Sequence, residues 1–145
     1  MRILGLDVGD KTIGIAINDM LNITAQGIET YFRVSMKEDI KYIIKTIVDN
    51  NIDTLVIGLP KNMNGTIGFQ GEKVQSFVKQ LEKKIKYSTN IDIENLQIVM
   101  WDERLSTMQA EKVLMDGKVR RENRKKYIDK IAATFILQSY MDSIN

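Results

Sequence analysis

The amino-acid sequence predicts an α/β fold, with a mixed five-stranded sheet (an antiparallel meander plus parallel strands) flanked by α-helices. Three apolar segments come first and follow one another through short connections, which is typical of antiparallel neighbours. Two later apolar segments are each preceded by an amphipathic helix, and such crossovers join parallel strands. No repeat or low-complexity linker interrupts the 145 residues, so we expect one domain over residues 1–145.

Alternating and continuous apolar runs place the strands. The first two are joined by a tight turn at Gly9 and Asp10. The five predicted strands span residues 2–8, 12–18, 23–32, 54–58 and 96–101.

Helical spacing of apolar side chains places the helices. Residues 35–50 carry Ile40, Ile43, Ile44 and Ile47 on one face and lysines on the other. The same pattern predicts further helices at residues 71–87, 106–115 and 124–143.

The composition excludes several kinds of catalytic site. The chain contains neither histidine nor cysteine, so Ser-His-Asp and Cys-His mechanisms and thiolate metal sites are ruled out. Carboxylates, lysine, arginine and hydroxyls remain, and oxygen ligands favour Mg²⁺ or Mn²⁺ over zinc. No apolar stretch reaches the roughly 18 residues of a membrane span and no export signal is evident, so we expect a cytoplasmic protein with no membrane partner.

The charge is concentrated in one segment, although the net charge is only +2. Residues 118–130 hold seven basic side chains and two acidic ones. Such a cluster is typical of polyanion binding, but a solvated helix start without a partner would look the same.

Two carboxylates are expected at the same edge of the sheet. Asp7 lies in the first apolar strand, where an ionised side chain is costly without a cation or several donors beside it. The fifth strand runs directly into Asp102 and Glu103, whose side chains would point to opposite faces. We favour Glu103 as the neighbour of Asp7, with Asp102 in a supporting role as the alternative. Ser106 is interpreted as a helix cap.

A third carboxylate, Asp129, lies in the last predicted helix on the face of Ala132, Ala133 and Ile136. Two alanines would let this face approach the sheet closely. The alternative is an acidic side chain favoured by the helix dipole in a first turn. Three carboxylates on separate elements are what a metal-dependent phosphodiesterase requires, and this chemistry needs no histidine.

Four motifs in this order resemble the YqgF/RuvX family and span nearly the whole chain. They are Gly5 to Gly9, Gly58 to Gly65, Asp102 to Thr107, and Asp129 to Ala133 with Ile136 and Leu137. The resemblance implies an RNase H-like fold related to the RuvC resolvases. It also implies a metal-dependent nuclease in which Asp7, Glu103 and Asp129 match the acidic triad.

The chain departs from related patterns at two places. Many relatives have Asp where this chain has Asn64, a turn position where little should change. The wider RNase H-like superfamily often has a carboxylate after the fourth strand, where this chain has Gly58, Leu59 and Pro60. Glu103 must therefore take that role.

Residues expected to contact nucleic acid surround the predicted triad. A plain strand-to-helix connection is the alternative for the glycine-containing loop at 60–71, and an ion pair with a neighbouring acid is the alternative for Arg104. Phe69 and Trp101 could stack on bases, although Trp101 fits a buried strand better. The predicted contacts are Lys11, Lys61, Asn62, Arg104, Lys118, Arg120, Arg121, Arg124, Lys125 and Lys126.

The function predicted from the sequence is that of a Mg²⁺- or Mn²⁺-dependent hydrolase that cleaves phosphodiester bonds. Members of the similar family have been described as nucleases maturing the 5′ end of pre-16S ribosomal RNA and as Holliday junction resolvases. We therefore expect a pre-rRNA substrate, with branched DNA as the alternative, and a monomer or homodimer. A noncatalytic RNA- or transcription-associated protein is a further alternative. The stretch from Asp7 to Thr12 is also similar to the first phosphate loop of the actin and sugar-kinase superfamily, but that fold uses two such domains around a nucleotide and 145 residues supply only one.

Overall fold

A computed structural model describes residues 1–88, 93, 95–103 and 121–144, with the side chains of the last helix described from Lys130 onward. The predicted strands and three of the predicted helices are present with small shifts at their ends. The predicted helix at 106–115 lies outside the described residues. The elements in chain order are β1 (Ile3–Val8), β2 (Thr12–Asn18), β3 (Ala25–Phe32), α1 (Met36–Asp49), β4 (Thr54–Leu59), α2 (Phe69–Lys86), β5 (Gln97–Asp102) and α3 (Arg121–Ile144).

The five strands form one mixed sheet in the order β3-β2-β1-β4-β5. β1 pairs antiparallel with β2, and β2 antiparallel with β3. β4 lies parallel to both β1 and β5. The predicted meander and parallel crossovers are therefore confirmed. The ends of β1, β3, β4 and β5 all meet at one edge of the sheet, which we call the carboxyl edge.

Helices cover both faces of the sheet. On one face, α1 and α2 bury alternate strand residues such as Leu4, Leu6, Ile13 and Ile15. On the other face α3 packs on a smaller cluster, in which its own Ala133, Ile136, Leu137 and Met141 meet Ile3, Ala16 and Val56. None of the helices in the described ranges is long and apolar enough to cross a membrane.

Glycines in the strands let α3 approach the sheet closely. A Cβ atom on Gly5 would lie 2.8 Å from Cβ of Leu137, and one on Gly27 would lie 2.7 Å from Cγ of Lys130. Further along the helix, the side chain of Gln138 accepts a hydrogen bond from the backbone N–H of Ala25 at 2.8 Å. Because Ala25 precedes Gly27 in β3, the helix runs with its N-terminal end towards the carboxyl edge.

Candidate active site

Asp7 lies near the end of β1, half-buried, on the face covered by α3. Strand alternation places it with Ile3 and Gly5, whereas Leu4, Leu6 and Val8 face α1 and α2. On the neighbouring strand it pairs with Gly14, which carries no side chain to cover it.

Glu103 reaches the same place from β5 by crossing β4. Its backbone N–H donates to the carbonyl of Leu59 at 3.3 Å, which continues the strand pairing by one residue. Its Oε2 atom lies only 2.2 Å from where a Cβ atom on Gly58 would stand. The glycine of β4 therefore leaves the space that this carboxyl group fills, while the side chain of Asp102 is exposed.

The side chains of Asp7 and Glu103 share a hydrogen bond. Burial raises the pKa of Glu103, the bond from Asp7 opposes that rise, and the charge of Asp102 adds to it. The Oε2 atom of Glu103 is buried and has no hydrogen-bond partner among the described residues. Two carboxyl groups can share a hydrogen bond only if a proton lies between them, and a divalent cation can take the place of that proton. Their oxygens suit a hard cation.

The third predicted carboxylate, Asp129, lies on α3, the helix that covers the face of Asp7, but its side chain is outside the described residues. Asp129 is one helical turn before Ala133, whose carbonyl oxygen is 3.3 Å from the Cβ position of Gly5. Among the side chains that the structure does describe, three potential metal ligands do not come together at any point. Asp7 and Glu103 are the two predicted ligands brought into contact.

A buried ion pair, which the sequence analysis missed, holds the turn after Asp7. The guanidinium of Arg33 bonds Oδ2 of Asp39 at 2.8 Å and the carbonyl of Gly9 at 2.8 Å. Asp39 is 1% exposed and also accepts bonds from Val34 N–H and the Tyr31 hydroxyl. Burial opposes ionisation of Asp39, but these donors hold its pKa below the usual value. The signal in the sequence was an acid on the apolar stripe of α1, since such an acid needs partners.

The loop after β4 is held by its own asparagines. The Asn62 side chain donates to Oγ1 of Thr66 at 3.0 Å, and the Asn64 side chain accepts from the Thr66 N–H at 3.1 Å. Gly65, which lies between Asn64 and Thr66, has φ 85°, a backbone conformation that favours glycine. Because Asn64 acts here as an acceptor, an Asp could replace it, in line with the small effect expected from this departure.

The other residues predicted to bind nucleic acid are described only in part. Lys11 is exposed in the turn after β1 and Lys61 is half-buried. Trp101 donates to the Ser139 hydroxyl at 3.0 Å and packs edge-on against Tyr140, so its ring supports α3. Arg104, Lys118 and Arg120 lie outside the described residues. Four more lie on α3 with side chains that are not described, namely Arg121, Arg124, Lys125 and Lys126.

Asp10 does more than form the turn, the role expected for it. It pairs with Lys73 of α2 at 3.0 Å and accepts a bond from Gln70 at 3.3 Å. The bonds from Lys73 and Gln70 lower the pKa of Asp10. The turn after Asp7 is thereby connected to α2 as well as to Arg33.

Comparison with proteins of known structure supports the fold. The chain is similar to Fowlpox virus resolvase in complex with Holliday junction DNA, with a TM-score of 0.56 and 21% identity over 99% of both chains. It is also similar to T. thermophilus RuvC in complex with a Holliday junction substrate, with a TM-score of 0.61 and 10% identity over 99% of this chain and 95% of that one. At these identities the likeness shows the RNase H-like fold.

Comparison of sequences gives much closer relatives. A protein of Clostridium acetobutylicum is 50% identical over 144 residues, which are 99% of this chain and 100% of the relative. One of Staphylococcus epidermidis is 51% identical over 146 residues, covering 99% of this chain and 96% of the relative. Both carry the name "Putative pre-16S rRNA nuclease". A family model described as "RuvX: Holliday junction resolvase" matches residues 1–143, and the chain therefore belongs to the RuvX family.

Proposed function

We propose that this protein is a metal-dependent nuclease of the cytoplasm that processes the 5′ end of pre-16S ribosomal RNA. The observation that carries the proposal is the meeting of the Asp7 and Glu103 carboxyl groups above Gly58, at the carboxyl edge. Two adjacent acids are costly when both are ionised, and a divalent cation can take the place of the proton that they share.

Asp7 and Glu103 would hold a Mg²⁺ or Mn²⁺ ion, with Asp129 as the third ligand. Such an ion, when bound, would supply water activation and charge stabilisation at the leaving oxygen. The chain's own part is to keep the carboxylates fixed. Gly58 gives Glu103 its space, and Arg33 holds the turn after Asp7 through the Gly9 carbonyl.

The basic residues near the start of α3 would bind the phosphate backbone of the substrate. This helix begins towards the carboxyl edge, and its basic residues at 121–126 belong to its first turns. Cationic side chains that neutralise phosphates release counterions from the nucleic acid, so affinity should fall steeply with salt.

Two relatives that are 49% and 50% identical to this chain over their full length favour pre-16S ribosomal RNA over branched DNA as the substrate, because both carry the name "Putative pre-16S rRNA nuclease". The second candidate is resolution of Holliday junctions, in line with the description of the family model. A symmetric junction would require a dimer.

The test is cleavage of a pre-16S RNA fragment with its 5′ flank and of a four-way DNA junction of similar length. Each is incubated with Mg²⁺ or with EDTA. We expect cleavage of the RNA by wild type in Mg²⁺ only, and loss of at least about 100-fold in Asp7→Asn. Asp102→Asn is the matched control, because this exposed acid adjoins the site without facing Asp7.

Preferred cleavage of the junction would favour the second candidate function, Holliday junction resolution. Equal RNA cleavage by wild type and Asp7→Asn would show that Asp7 is not needed for the reaction and would contradict the proposed metal site. RNA binding without cleavage by any variant would leave a noncatalytic RNA-binding protein.

A further inference from the structure

Phe32 is an exposed aromatic residue at the carboxyl edge. It ends β3 and is 67% exposed. In the sheet it pairs with Thr12, while Thr30 pairs with Gly14, which in turn pairs with Asp7. Paired residues share a face, so the ring of Phe32 lies on the same face as the two carboxylates, two residues beyond the row of Asp7.

The register gives the distance between the two positions. Two strand spacings of about 4.8 Å separate β3 from β1, and two residues span about 6.7 Å along a strand. The Cα atoms of Phe32 and Asp7 are thus roughly 12 Å apart. A nucleotide near the bond to be cleaved at the carboxylates would be within reach of this ring.

The exposed residue Lys11 lies near the end of β3. The backbone N–H of Arg33 donates to the carbonyl of Lys11 at 2.9 Å, and this lysine directly precedes Thr12, the partner of Phe32 in the sheet. The exposed ring of Phe32 itself offers a face on which a base can stack.

The backbone that carries the ring is tied to the turn that follows Asp7. Arg33, the next residue, bonds the carbonyl of Gly9 and the buried carboxylate of Asp39, each at 2.8 Å. Only the side-chain torsions of Phe32 then remain to be ordered when a base stacks on the ring.

We propose that Phe32 is a stacking site for an unpaired base beside the cleaved bond, so that the substrate is single-stranded RNA at that point. Bases inside a duplex already stack on their neighbours, whereas an unpaired base presents a free face to an aromatic ring. This inference rests on the proposed nuclease function and adds the conformation of the substrate.

The experiment measures binding in EDTA, so that no cleavage interferes. A single-stranded RNA from the 5′ flank of 16S ribosomal RNA and the same RNA paired with its complement are titrated against each protein. Phe32→Ala should bind the single strand about fivefold or more weakly, and the duplex as wild type does. Phe32→Trp should bind like wild type, because it keeps the ring.

Tyr87→Ala is the matched control. Tyr87 is 73% exposed and lies beside Lys86, whose Nζ is 6.0 Å from the ring centroid. It ends α2 on the other face of the sheet, so its removal should leave binding unchanged. Phe32→Ala should also keep the wild-type dependence of affinity on salt, since it removes no charge.

Abasic substitution along the RNA then locates the contact. The loss caused by Phe32→Ala should vanish when the base at one position is absent. Wild-type affinity of Phe32→Ala, an equal loss with the duplex, or an equal loss in Tyr87→Ala would each overturn the stacking site. If one of these results is found while wild type cleaves RNA normally, the stacking site is wrong and the nuclease proposal stands. If wild type neither binds nor cleaves the RNA, both proposals are wrong.

Discussion

Replacing Gly58 by alanine should disable the site while leaving the fold intact. The new methyl carbon would lie 2.2 Å from Oε2 of Glu103 and 2.5 Å from Cδ1 of Ile136. Carbon and oxygen atoms rarely approach closer than roughly 3.3 Å. The Glu103 carboxyl group must therefore move by about 1 Å or rotate away from Asp7.

The consequences differ for activity and for stability. A displacement of about 1 Å in a positioned catalytic group costs on the order of 100-fold in rate. Overpacking costs about 1–3 kcal/mol of folding free energy, and the loss of glycine's freedom in the unfolded chain offsets about 0.5–1 kcal/mol of it. The protein should therefore stay folded and lose most of its activity.

The assay compares single-turnover RNA cleavage over a range of Mg²⁺ concentrations with thermal unfolding. Gly27→Ala is the matched control, because its Cβ atom would meet Lys130 and Thr134 beneath the same helix, away from the carboxylates. We expect Gly27→Ala to alter stability with near-normal cleavage. Wild-type cleavage and Mg²⁺ dependence in Gly58→Ala would refute the role given to this space.

Two further predictions concern pH and stability. Burial and the charge of Asp102 raise the pKa of Glu103. The free energy of unfolding of the metal-free protein should therefore fall as pH rises from the usual carboxyl pKa through the raised pKa of Glu103. Glu103→Gln should thus raise the melting temperature in EDTA at neutral pH while abolishing cleavage, and an unchanged melting temperature would contradict this. The pKa of Asp39 is lower in the folded protein than its usual value. The ionised side chain therefore stabilises the fold at pH values above the usual carboxyl pKa, and this stabilisation is lost in acid. Asp39→Asn should cost about 3 kcal/mol at neutral pH in denaturant unfolding, and a difference that does not shrink in acid would count against the ion pair.

The directions of the strands could be predicted from the sequence because they depend on the local connections. Short connections between β1, β2 and β3 permit little besides an antiparallel meander, and helices before β4 and β5 impose parallel crossovers. Alternation along β5 also predicted that Glu103 and Asp102 point to opposite faces. In the structure Glu103 contacts Asp7, whereas Asp102 is exposed.

The space that receives Glu103 could not be predicted in the same way. The sequence showed only that a carboxylate was absent at Gly58 and that Glu103 had to serve instead. That the glycine makes room for Glu103 depends on the register between β4 and β5, with Gly58 paired to Trp101. Register between strands about 40 residues apart is a property of the packed sheet.

The ion pair of Arg33 and Asp39 was missed for a related reason. Asp39 stands next to Glu38 at the start of α1, where acids are ordinary because of the helix dipole. The position of Asp39 on the apolar stripe distinguishes it from Glu38, but its partner Arg33 is known only from the packed structure, where Asp39 is buried and Glu38 is exposed.

Calorimetric titration with Mn²⁺ tests the central claim most directly, because it needs no substrate. Wild type should bind the ion, whereas Asp7→Asn and Glu103→Gln should each bind at least about tenfold more weakly. Asp102→Asn should weaken binding far less than either, since its exposed carboxylate acts on Glu103 only through its charge. Wild-type affinity in both Asp7→Asn and Glu103→Gln would contradict the claim that these two carboxylates hold the metal.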